Sequence, residues 1–118
     1  MPTVIRSNAL VPSPGGTILF EGGPHGANVS FFLVDNEPGA GPALHVHPYP
    51  ETWIVREGRA RFTVDGEVIE AGAGDIVVVE AETPHRFKNI GEDRLEIICI
   101  HPSNRVIQRD LETERPEV

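Results

Sequence analysis

The sequence predicts an all-β fold, a sandwich or barrel with little or no helix, and three observations carry that expectation. Eleven prolines and twelve glycines in 118 residues interrupt any long helix, because proline removes a backbone donor and glycine costs entropy inside a helix. No stretch of useful length shows helical periodicity. Most of the apolar segments are short and separated by turn residues: 17–20, 29–34, 43–47, 52–55, 60–64, 67–71, 76–79, 85–87 and 95–100. Short apolar runs at such close spacing are the pattern of a small antiparallel β domain.

The turns support the same reading. Asp65-Gly66 stands between Arg61-Phe62-Thr63-Val64 and Val68-Ile69, a two-residue hairpin signal, since such turns need positive φ. Gly72-Ala73-Gly74-Asp75 and Asn89-Ile90-Gly91-Glu92-Asp93 mark further turns. Phe31-Phe32-Leu33-Val34 and Ile97-Ile98-Cys99-Ile100 are apolar on both faces. Such strands expect cover on both sides, either from a second copy of the chain in a homodimer or from a folded-back terminus. One domain accounts for residues 1–118, with a barrel core at about 17–101. Residues 102–118 form a C-terminal tail, whose charged part from Gln108 onward reads as a loose surface segment.

Charge and cysteine content exclude several functions. Ten Lys/Arg against eighteen Asp/Glu give a formal charge of −8, so there is no basic surface for nucleic acid or for an anionic membrane. A single cysteine, Cys99, rules out an intramolecular disulfide and a cysteine-rich zinc cluster. It sits in an apolar strand and reads as a small core hydrophobe. Residues 1–6 carry no signal-peptide pattern, and no apolar run approaches the ~20 residues of a membrane span. A soluble, cytoplasmic protein is the expectation.

The chemistry concentrates in Leu44-His45-Val46-His47-Pro48-Tyr49-Pro50-Glu51. Residues two apart on a strand share a face, so His45 and His47 project together while Leu44 and Val46 pack opposite. The prolines force a bend, after which Glu51 opens the next run. If that run returns beside the first, its carboxylate faces the same space. A third histidine, His85, shares the inward face of Phe87 and Asn89. An isolated histidine is more often a surface or core residue than a ligand. Packing alone, however, gives no reason for two inward imidazoles beside a carboxylate, whereas a first-row transition metal does.

The spacing Gly39-x5-His45-x-His47-x3-Glu51-x6-Gly58 resembles the first motif of the cupin family. Gly74-x10-His85-x3-Asn89 resembles the second, with Glu80 and Glu82 standing where that family commonly has proline and glycine. The departure falls on the bend before His85. The resemblance implies a cupin-type double-stranded β-helix, a small jelly-roll barrel with a metal inside. His45, His47, Glu51 and His85 would then hold one divalent transition-metal ion, Fe(II) or Mn(II) first, Zn(II) or Ni(II) as alternatives. Four protein ligands on an octahedral ion leave two open positions, which favours chemistry on a small-molecule substrate over a purely structural site.

Other side chains are candidates by position. Glu51, Tyr49 and His101 are candidate proton carriers, although Tyr49 serves equally as a turn cap and a strand-end histidine such as His101 is more often structural. Trp53, Val55, Phe62 and Phe87 are candidates for the substrate-pocket wall, with core packing an equal reading for Trp53. His25, in a glycine-rich loop, reads as a surface residue. Arg59, Arg61, Arg86 and Lys88 alternate with inward apolar residues and are expected to face out. Arg94 and Arg105 are not placed by the pattern. The cavity is therefore expected to lack a cation and to suit a neutral, apolar or aromatic molecule. The resulting expectation is a dioxygenase-type oxidoreductase. A redox-neutral isomerase, cyclase or lyase, or a non-catalytic ligand-binding protein, are its alternatives.

Overall fold

Turn chemistry divides the chain into ten strands. In this computed structural model, which describes residues 2–111, they are β1 (Ile18–Glu21), β2 (Ser30–Asn36), β3 (His45–Val46), β4 (Glu51–Glu57), β5 (Arg59–Val64), β6 (Glu67–Gly72), β7 (Ile76–Val79), β8 (His85–Asn89), β9 (Leu95–His101) and β10 (Arg109–Asp110). Among the described residues, helix is limited to two 3-10 turns, Ser7–Ala9 and Gly23–His25. The β5–β6 hairpin closes as expected, with Asp65 and Gly66 at φ +49° and +81° and Val64 opposite Glu67. Gly58 turns β4 into β5 at φ +88°. A Cβ there would also lie 2.7 Å from the Arg94 carbonyl oxygen, so the turn needs glycine twice over.

The strands form two five-stranded antiparallel sheets, β1-β2-β9-β4-β7 and β10-β3-β8-β5-β6, packed as the two layers of a small jelly-roll barrel. Alternation fixes what lies between them. On β4 and β9 every second residue is buried, including Trp53 and Val55 on one strand and Leu95, Ile97 and Cys99 on the other. Phe62 and Phe87 come from the opposite sheet. The Trp53 ring stacks on Phe62 at 4.5 Å, and Phe62 lies 5.9 Å from Phe87. These three rings cross-link the sheets at one end of the barrel.

Two expectations change. The bend at Pro48 and Pro50 does not return the chain beside β3. Instead Glu51 begins β4 in the other sheet, because two prolines in three residues cannot make a tight hairpin with paired strands. The tail is also less loose than its charge suggests. Arg109–Asp110 pairs with β3, the Val106 N–H donates to Glu21 Oε2 at 2.9 Å, and the Leu111 N–H donates to the Leu44 carbonyl. Backbone pairing on a sheet edge needs no apolar side chains, so composition conceals it. Residues 112–118 of the expected tail lie outside the described residues.

The departure from the second motif has a backbone consequence. Glu82 sits at φ +59°, in the left-handed region that a side chain disfavours, while its N–H donates to the His47 carbonyl at 2.8 Å. Replacing Glu82 with glycine removes the steric cost of that conformation, of order 1–2 kcal/mol, against the roughly 0.5–1 kcal/mol entropic cost of glycine. Glu82→Gly should therefore raise the urea midpoint, by roughly 0.5–1 kcal/mol of stability. A lower midpoint would show that the Glu82 side chain contributes more than its backbone costs.

Candidate metal centre

The donors reach one point from both sheets. His45 lies on β3, His47 just beyond it, His85 opens β8, and Glu51 opens β4 across the barrel. All four are buried. One donor atom from each lies within 4.8 Å of the others. Glu51 Oε1 stands 3.2 Å from His47 Nε2 and 3.0 Å from His85 Nε2.

Backbone carbonyls orient the imidazoles. His45 Nδ1 donates to the Ala43 carbonyl at 2.7 Å, His47 Nδ1 to Ile107 at 2.8 Å and His85 Nδ1 to Thr83 at 2.8 Å. With Nδ1 protonated, each Nε2 presents a lone pair, the arrangement that fixes metal-binding histidines. The Ile107 carbonyl is supplied by the segment leading into β10, so the tail helps to aim His47.

Glu51 is treated asymmetrically. Trp53 Nε1–H donates to its Oε2 at 2.9 Å, and His101 Nε2 faces the same oxygen at 3.2 Å. Oε1 makes no hydrogen bond, and neither do His47 Nε2 and His85 Nε2. Three buried polar atoms aimed at one another without partners are costly, and a cation satisfies all three. Donors about 2.1 Å from a shared ion would stand about as far apart as these do. The residues present therefore fit a divalent metal, and these four could hold one. Burial would raise the carboxyl pKa of Glu51, but the imidazoles of His101, His47 and His85 outweigh it and hold the group ionised, far below the usual range. Burial pushes the His45 pKa down despite its carbonyl partner. Metal binding would use the Glu51 carboxylate and the free Nε2 lone pair of each imidazole.

The cluster opens on a cavity of about 280 Å³. Phe32, Val34, Phe87 and Cys99 supply its apolar wall, and Thr17, Asn36 and Gln108 its polar points. Among the described residues, none that lines it is Arg or Lys. Arg59 and Arg61 point outward and pair with Glu70, and Arg94 pairs with Asp35 at 2.8 Å.

Among the expected pocket residues, Phe87 lines this cavity, whereas Trp53, Val55 and Phe62 do not. They fill the core behind the cluster. Strand parity correctly turned them inward, but parity reports the face of a strand and not the depth along the barrel. The cavity runs from the cluster toward β2 and the residue before β1; sequence reasoning missed Phe32, Val34 and Asn36 on β2 and Thr17 just ahead of β1. The signal was available, since Asn36 shares the parity of Phe32 and Val34.

The remaining candidates divide cleanly. His101 is 1% exposed and faces the cavity. Its Nδ1 lies 2.6 Å from the Tyr49 hydroxyl, which accepts the Ile107 N–H at 3.0 Å and stacks on His47 at 5.3 Å. Burial raises the pKa of Tyr49 and pushes the Cys99 thiol well above its usual value, so both keep their protons. His25 is exposed and stacks on Phe20, away from the site. Asn89 ties the fold together, donating to the Asn36 and Asp93 carbonyls and accepting from Gly91.

A family model of the cupin domain matches residues 32–101, which is more than half of the chain. The chain belongs to the cupin family. Relatives include an uncharacterized protein of Methanocaldococcus jannaschii, 37% identical over 62 residues that make up 52% of this chain and 50% of that protein. Another is the polyketide synthase CurC of Streptomyces cyaneus, 32% identical over 75 residues, 62% of this chain and 49% of the relative. The cupin chain thus spans about half the length of these two relatives. Among solved structures, an E162A mutant of oxalate decarboxylase OxdC from Bacillus subtilis superposes with a TM-score of 0.75 at 28% identity, covering 86% of this chain and 29% of that one. The oxalate decarboxylase of Bacillus subtilis has Mn(II) centres. No helix of the described residues is long and apolar enough to cross a membrane.

Plasma mass spectrometry of anaerobically purified protein should find about one divalent ion per chain, and His47→Ala should abolish it. Trp53→Phe, which frees Oε2 but keeps the ring, should weaken metal affinity about 10–100-fold. Metal content unaffected by His47→Ala would place the ion elsewhere.

Proposed function

We propose that this cupin is a metal-dependent oxidoreductase of the dioxygenase type, acting on a small neutral molecule with an enolic or phenolic oxygen. The observation that carries the reading is a cluster of three histidines and a glutamate opening on an apolar cavity whose lining has no cation. A dianion such as oxalate would want an Arg or Lys beside it, so likeness to oxalate decarboxylases supports the metal more than the substrate. Fe(II) and Mn(II) are the proposed ions, and the Mn(II) centres of the Bacillus subtilis enzyme favour including the second. Such an ion supplies Lewis acidity toward the substrate oxygen and an electron path to dioxygen.

The chain's own residues do the rest. His45, His47, His85 and Glu51 hold the ion, with the imidazoles fixed by carbonyls and Glu51 by Trp53. Phe32, Val34 and Phe87 exclude water and orient a flat molecule. The Tyr49–His101 pair beside Glu51 favours a second reading, a redox-neutral isomerase, cyclase or lyase in which these three side chains carry protons. Oxygen uptake with iron- or manganese-loaded protein and a panel of enols and phenols separates the two. Turnover should stop without air and recover on its return, and Tyr49→Phe should leave it within a few-fold. Anaerobic turnover, slowed about 10²–10⁴-fold by Tyr49→Phe, would replace the first reading with the second.

We also propose that this cupin pairs with a second copy through the outer face of the β1-β2-β9-β4-β7 sheet. Two apolar rungs cross that face: Ile18, Leu33, Ile98, Ile54, Ile76, and Phe20, Phe31, Ile100, Thr52, Val78. Five strands ~4.8 Å apart make a flat patch of roughly 300–400 Å², within the range of the largest apolar patch on a monomer and short of the ~800 Å² per partner of a stable dimer. The N-terminal segment supplies the difference. Its Val4, Ile5 and Val11 are exposed, and ten extended residues reach about 33 Å, enough to cross a partner's face. Light scattering should give twice 12.9 kDa, reduced to the monomer by Val78→Asp. A monomeric wild-type protein would refute the pairing.

A further inference from the structure

Asn36 is a polar side chain of the cavity wall whose presence the fold does not explain. It is the last residue of β2, on the inward face it shares with Phe32 and Val34, where an apolar residue would close the core. It is 8% exposed, and its Oδ1 has no hydrogen-bond partner. The backbone carbonyl of Asn36 is already satisfied by Asn89 Nδ2 at 3.2 Å, so the side chain is not needed to hold that strand end. A buried amide oxygen without a partner is a standing cost, retained where something else fills the vacancy.

Its position says what that would be. Asn36 and Thr17 line both the inner cavity and an outer cleft bordered by Pro14, Gly15, Gly16 and Arg94. His45, His47 and Glu51 line the inner cavity alone. The cavity therefore has a ligand-cluster end and an amide end, with Phe32, Val34 and Phe87 between them.

We propose that Asn36 is a specificity-determining residue whose amide binds a hydroxyl or N–H at the far end of the substrate, with Thr17 beside it. The inference rests on the proposed function for the near end, where an enolic or phenolic oxygen meets the metal cluster. The substrate class becomes narrower: a neutral molecule with an apolar or aromatic middle and a hydrogen-bond donor opposite its reactive oxygen. Oδ1 is the unpartnered atom and cannot donate, so it favours a donor over an ether or a carboxylate. Among the described residues no Arg or Lys lines the inner cavity, and Arg94, on the outer cleft, is already paired with Asp35.

Two probes of one shape test this: 4-(hydroxymethyl)phenol and 4-ethylphenol, titrated anaerobically into Mn(II)-loaded protein and followed by calorimetry. The hydroxymethyl compound should bind at least tenfold more tightly. Asn36→Leu should erase that preference without lowering metal content or melting temperature, and Asn36→Asp, which still accepts, should keep it. Should the leucine variant fold poorly, the wild-type comparison alone remains decisive. Equal affinity in the wild type, a preference that survives Asn36→Leu, or no binding of either phenol would overturn the proposal. Binding is read without oxygen or turnover. A clear preference in a protein that then shows no oxygen uptake would leave the subsite standing and remove only the oxidoreductase reading.

Discussion

The structure turns on one buried carboxylate. Glu51 is 3% exposed and stays ionised inside a small barrel, where an unpaired charge is among the most expensive groups a fold can hold. Among the described residues no Arg or Lys reaches it; Trp53 and His101 address one oxygen, and the other faces imidazole nitrogens. Because the three ligand histidines commit their Nδ1 hydrogens to carbonyls, their inward nitrogens cannot donate to Glu51 while neutral. A cation held among them would supply the missing charge partner, and its binding would then be coupled to folding.

That requirement explains features that otherwise look unrelated. The chain must cross between sheets immediately after His47, so that Glu51 approaches the histidines from the opposite wall, and Pro48 and Pro50 enforce the crossing. The segment before β10 must come back, because the Ile107 carbonyl aims His47 and the Ile107 N–H holds the Tyr49 hydroxyl. Trp53 must be a tryptophan in its hydrogen-bonding role, since its ring joins the core while its N–H reaches the carboxylate.

Local patterns made much of this legible in the sequence. Alternation placed His45, His85, Phe87 and Asn89 inward, and the Asp65-Gly66 turn fixed a hairpin. The spacing of His45, His47, Glu51 and His85 marked the cluster that the family match and the geometry both support. Non-local facts were hidden. Nothing in Gln108–Asp110 announces a strand, because backbone groups make that pairing. The cavity's direction depends on which inward residues meet empty space, and that is decided by packing across two sheets. Hence Trp53, Val55 and Phe62 share the inward face yet fill the core, while Thr17 and Asn36 reach the cavity. His101 looked like a strand terminus because its partner, Tyr49, is 52 residues away.

Charge counting carries the substrate argument one step further. A divalent ion with one carboxylate and three neutral imidazoles leaves a net charge of about +1 in a cavity whose lining has no Arg or Lys. One enolate or phenolate oxygen brings that sum to zero, the cheapest total in a low-dielectric site. A dianion would overshoot to −1 with no Arg or Lys among the described lining residues to balance it. The same count is consistent with the amide subsite proposed for the far end of the cavity. With the metal end neutralised, a second charged contact would restore the imbalance, whereas an amide contact from Asn36 would add selectivity without adding charge.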